Sequence, residues 1–93
     1  MRNTLGALER TLVDRRAKLP EGSYSAELFA DPERLVRKIM EEAFEVCLEL
    51  GRQPVSQERV AAEAADLVFH VLVGLVSVDV GVDAVLAELE RRR

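Results

Sequence analysis

Tryptophan is absent, and the other aromatics are one tyrosine and three phenylalanines. Platforms that stack single-stranded nucleic acid are built from such side chains, so that function class is disfavoured. An excess of positive charge is also missing. The formal net charge of −4 has the wrong sign for a phosphate-backbone partner. A single cysteine, Cys47, excludes an internal disulfide, and its apolar neighbours make it read as a buried, inert thiol. One histidine and one isolated cysteine are too few ligands for zinc. The longest oily stretch, "LVFHVLVGLVSV", is too short to cross a bilayer and contains His70. The opening "MRNTLGALER" lacks the apolar stretch of a signal peptide. The expectation is a cytoplasmic protein whose partner is neither nucleic acid nor membrane.

What is present is helical pattern and charge. A chain of 93 residues, with 48% hydrophobic and 32% charged side chains, reads as a single all-α domain spanning residues 1–93. A domain of this size buries only about 60–65% of its unfolded surface, so it is marginal alone. Four helices are expected, and no strand pattern competes. The first runs from about Thr4 to Lys18, with Asn3 as N-cap and Leu5, Leu8 and Leu12 as its apolar stripe. "PEGSYSAELFA" then reads as a loop containing at most a short turn. Asp31 caps the second helix, with Pro32 in its first turn, and Gly51 ends it. Ser56 caps a third helix reaching about Val78. After the turn "DVGVD", a fourth runs from about Asp83 into three arginines, Arg91, Arg92 and Arg93, which suit a helix C-terminus.

The second helix, "KIMEEAFEVCLEL" at its centre, crowds Glu41, Glu42 and Glu45 together. At ~100° per residue these acids share an arc of about 140° with Arg34, Arg37, Lys38 and Glu49. The rest of the wheel is apolar, wider than the ~100° stripe of an ordinary surface helix. Such a helix is expected to be buried on several sides, with its polar arc forming a slot. The third helix is oilier still. Glu63, Asp66 and His70 share a narrow arc of roughly 60° with Arg59 and Ser77. A short "GRQPVSQ" connection predicts antiparallel packing of the two, bringing up to five carboxylates together. At an effective dielectric near 20, two like charges ~6 Å apart repel by about 3 kcal/mol. A hard divalent cation such as Mg2+ removes that repulsion. The rival reading is neutralisation by Arg34, Arg37, Lys38 and Arg59 as ion pairs. Lys38 is equally a solvated partner of Glu42. Tyr24 is equally a packing residue, and His70 equally a hydrogen-bonded core histidine.

Glu41-Glu42-x-x-Glu45, then seventeen residues, then Glu63-x-x-Asp66, resembles the signature of the all-α MazG-like nucleoside triphosphate pyrophosphatases. Within them, "EGSYSAELF", "RKIMEEAFEV" and "EAADLVFHVLVGL" look like the loop and two helices of phosphoribosyl-ATP pyrophosphatase. Phe69 stands where that family usually has tyrosine, Arg37 and Ser25 replace lysine and threonine, and Gly74 replaces a larger apolar residue. None of these departures touches the acids. The resemblance implies a four-helix bundle completed by homodimerisation. It also implies Mg2+-dependent hydrolysis of phosphoribosyl-ATP to phosphoribosyl-AMP and pyrophosphate in histidine biosynthesis. It makes Glu42, Glu45, Glu63 and Asp66 the metal ligands, with Glu41 a further ligand or the group orienting water. Lys38, Arg37, Ser23, Tyr24 and His70 become candidates for contact with the nucleotide. Two alternatives remain: a housecleaning nucleoside triphosphate pyrophosphatase of the same fold, or a non-catalytic helical oligomerisation module.

Overall fold

The structure, a computed structural model, describes residues 3–93; Met1 and Arg2, which open the segment read as leaderless, lie outside the described residues. The chain forms helices α1 (Thr4–Lys18), α2 (Tyr24–Phe29), α3 (Pro32–Leu50), α4 (Gln57–Ser77) and α5 (Val82–Arg92). Caps set most of the starts. Asn3 accepts from the Gly6 amide at 3.0 Å, Asp31 from the Arg34 amide at 3.1 Å and Ser56 from the Arg59 amide at 3.2 Å. Each satisfies an amide that the first helical turn leaves without a partner.

Among the described residues there are five helices where four were expected. The additional one is α2, read from sequence as loop. Ser23 caps it, accepting from the Ala26 amide at 3.3 Å, and Leu28 anchors it with no solvent exposure. Six residues cannot hold a helix alone, so tertiary burial of Leu28 supplies what local pattern does not. Gly22, at φ +83°, makes the left-handed turn that feeds it.

The core is Leu12 of α1, Leu28 of α2, Leu35 of α3, Leu72, Val73 and Val76 of α4, and Val82 of α5. α3 and α4 share the most extensive packing. They run antiparallel: Ile39 lies against Gly74, while Glu42, further along α3, meets Glu63 and Asp66, earlier in α4. A β-carbon added to Gly74 would sit 3.4 Å from Ile39 Cδ1, so the helices approach closely there.

Two expectations need correction. The apolar arc of α3 is not covered on several sides. Val36, Met40, Phe44 and Leu48 point outward, with Met40 67% and Phe44 62% exposed, and Cys47 is exposed rather than buried. It is the polar arc that faces α4, where Glu42 and Glu49 are only 9% and 6% exposed. Val68 and Val71 of α4 are likewise open to solvent. Second, α4 taken whole is long and apolar enough to cross a membrane by length and composition, although its longest oily stretch is not. Its inner face packs in the bundle through Leu72, Val73 and Val76.

Candidate metal centre

Three carboxylates meet in the groove between α3 and α4. One oxygen each from Glu42, Glu63 and Asp66 lies within 4.8 Å of the others. Glu63 and Asp66 are three residues apart on one helical face, and antiparallel packing sets Glu42 opposite them. Among the described residues, no lysine or arginine comes within 4.0 Å of Glu63 or Asp66. Partial burial, and then repulsion from Glu45, Asp66, Glu42 and Glu49, pushes the Glu63 carboxyl above the ordinary glutamate range.

The basic residues that could have neutralised the acids are mostly engaged elsewhere. Arg34 pairs with Glu27 at 3.2 Å and Arg37 with Glu33 at 3.9 Å. Lys38 does reach the groove, 3.3 Å from Glu41 and 3.4 Å from Glu42. Its bond to Glu41 is the main cause holding the ammonium above its ordinary value, against the pull of partial burial. Glu41 therefore sits to one side with Lys38. Glu45 is exposed and outside the trio, yet close enough to raise Glu63.

Three hard oxygen donors at this spacing, two without a basic partner, fit a divalent cation of the magnesium or manganese type. A fourth acid, Glu49, was not singled out from sequence. It lies seven residues beyond Glu42 on the same face. One of its oxygens is buried with no hydrogen bond, although Arg52 Nε lies 3.1 Å away in poor alignment.

Beside the trio, His70 is held at both nitrogens. Nδ1 is 2.7 Å from the Asp66 backbone oxygen, and Nε2 is 2.8 Å from the Tyr24 hydroxyl. So His70 is a hydrogen-bonded core histidine, and its partner in Asp66 is the backbone, not the carboxylate. Tyr24 also stacks on Phe69, with ring centroids 6.3 Å apart, and carries the Arg34 guanidinium 5.6 Å above its face. Ser23 is occupied: it caps α2, accepts from Arg15 at 3.3 Å and contacts Ser25 at 3.1 Å. Arg34, a candidate neutraliser of acids by sequence, lies instead on Tyr24, a place that depends on α2 and that local pattern does not show.

Residues 5–93 match the family described as Phosphoribosyl-ATP pyrophosphohydrolase. A phosphoribosyl-ATP pyrophosphatase of Roseobacter denitrificans is 41% identical over 91 residues, covering 97% of this chain and 85% of the relative. One from Halobacterium salinarum is 39% identical over 97 residues and covers both chains fully. The histidine biosynthesis bifunctional protein his7 of Schizosaccharomyces pombe is 41% identical over 83 residues, 89% of this chain; the match spans only 19% of that longer relative.

Proposed function

The chain belongs to the phosphoribosyl-ATP pyrophosphohydrolase family, and from that premise we propose that it hydrolyses phosphoribosyl-ATP to phosphoribosyl-AMP and pyrophosphate in histidine biosynthesis. The observation that carries the reading is the trio of Glu42, Glu63 and Asp66 facing one another across two antiparallel helices. Glu42, Glu63 and Asp66 would hold Mg2+, and Glu45, one turn along from Glu42, would complete the set. The cation, when bound, polarises the α–β anhydride and neutralises the leaving pyrophosphate.

The chain's own residues do the rest. Glu41, exposed beside the trio, orients the attacking water or adds a ligand. Lys38 lies between Glu41 and Glu42 and is placed to take a phosphate oxygen. Arg37, one residue earlier and held only by a long pair with Glu33, extends that positive rim. Ser23 acts by capping α2, which carries Tyr24 to the nucleotide; His70 acts through Tyr24. The enzyme works as a soluble, cytoplasmic homodimer, because the outward apolar face of α3 is too large to leave in water.

Pyrophosphate release from phosphoribosyl-ATP tests the reading. Wild-type protein should release it with millimolar Mg2+ and not after chelation. Asp66→Asn should release none, while its metal-free form melts at or above wild type because a repulsion is gone. Release that survives both chelation and Asp66→Asn would sink the proposal.

A further inference from the structure

The hydrogen bonds around His70 fix more than its position. A backbone carbonyl only accepts, so the 2.7 Å contact with the Asp66 oxygen places a proton on Nδ1. In the neutral ring Nε2 is then bare and accepts. The group 2.8 Å from it, the Tyr24 hydroxyl, must donate. A phenol has one O–H. Once that proton is given to His70, the oxygen has only lone pairs to offer anything approaching from outside.

The geometry is built to stay that way. His70 is 5% exposed, whereas Tyr24 is 39% exposed, so one end of the pair is closed and the other open. Phe69 meets the His70 ring edge-on at 5.2 Å and stacks on Tyr24, while Arg34 lies over the Tyr24 ring. Through His70, which bonds the backbone of Asp66, the Tyr24 hydroxyl sits beside the acidic trio.

We infer that Tyr24 is a specificity residue that accepts a hydrogen bond from an O–H or N–H of the nucleotide, and so reads its ribose or base rather than its phosphates, with His70 as the positioning residue that sets this polarity. The inference rests on the nucleotide reading above. Phosphate oxygens are acceptors, and against a lone pair they are repelled. Ribose hydroxyls and base N–H groups are the donors such a substrate carries.

The chain has one histidine, so 15N-labelled protein gives the signals of a single imidazole. Nδ1 should be the protonated nitrogen and Nε2 the bare one, both free and with pyrophosphate added. Tyr24→Phe should raise KM for phosphoribosyl-ATP about tenfold, the size of one lost hydrogen bond, with a smaller change in kcat. It should leave inhibition by pyrophosphate unchanged. Analogues lacking one ribose hydroxyl, or blocked at the exocyclic base nitrogen, then locate the donor: for the analogue missing it, wild type and Tyr24→Phe should have the same KM. A ring protonated at Nε2, or a Tyr24→Phe penalty of equal size for every analogue, would overturn the inference while leaving the hydrolase reading intact. Wild type that does not turn over phosphoribosyl-ATP at all would remove both.

Discussion

Glu63 holds its proton more tightly in the folded protein than a free glutamate does, because it is partly buried and faces four other acids. The consequence for stability has a definite sign. Between the ordinary glutamate value and the raised folded one, the native state binds more protons than the unfolded state, so stability falls as pH rises through that window. The contribution is fully present below the ordinary value and gone above the folded one. In metal-free protein, Glu63→Gln should flatten this part of the melting profile relative to wild type; parallel profiles would refute the assignment. Glu49 makes a related case. Its partner Arg52 is half in water, so removing the acid strands nothing. Glu49→Gln is expected to be neutral or to stabilise the metal-free fold by up to about 1 kcal/mol. A loss of several kcal/mol on chemical denaturation would instead make the pair with Arg52 a support of the fold.

At the scale of elements, α5 starts at Gly81, which has no side chain to cap with. The acceptor for the Val82 amide comes from α1, as Glu9 Oε2 at 2.8 Å. A carboxylate there also favours the positive end of the helix. Glu9→Ala should cost about 1 kcal/mol and speed amide exchange in the first turn of α5 more than elsewhere. Gly74→Ala should go the other way. The added methyl meets only the end of the Ile39 side chain, and alanine is about 1 kcal/mol better than glycine inside a helix. A lower melting temperature for Gly74→Ala would mean that the α3–α4 approach tolerates no added atom. These elements also mark where sequence was readable. Asn3, Asp31 with Pro32, and Ser56 announce their helices locally, and periodicity with a short connection brings Glu42 to Glu63 and Asp66. α2 was hidden, because Pro20 and Gly22 sit just before it and its anchor, Leu28, works only once the core exists. The Tyr24–His70 bond spans 46 residues and depends on that hidden helix, so no local pattern carries it. Cys47 misled for a different reason: its apolar neighbours form a face, but the face points away from the protomer's core.

As a whole molecule, the protomer is drawn out. Its radius of gyration is 14.5 Å, against about 12 Å for a compact chain of this length. Val36, Met40, Phe44 and Leu48 repeat every four residues along the outside of α3, an apolar ridge inclined to the helix axis. A second apolar surface, a groove of about 290 Å³, runs between α4 and α5 and is lined by Val68, Val71, Val85 and Leu89. Burying each large side chain is worth roughly 1.5–3 kcal/mol, enough for a few of them to hold two copies together. Sedimentation at micromolar concentration should give twice the 10.4 kDa protomer mass, and Phe44→Glu should shift it toward the monomer. A monomeric wild type would remove the need for a partner copy. The link from Glu9 to Val82 has one more consequence, for how the chain is made. α1 and α5 close on each other across 73 residues, which at about 5–20 residues per second is roughly 4–15 s of synthesis on the ribosome. Arg16 of α1 waits through 60 and 63 residues for the Val76 carbonyl and Asp79 that it binds. α1, α2 and the α3–α4 hairpin can pack on one another once Ser77 has been made, whereas the closure of α5 on α1 comes last. α1 meets α2 and α4 before α5 exists, and nascent chains halted after Ser77 should show the α3–α4 hairpin protected from protease while the Glu9 end of α1 is cut more readily than in the full chain.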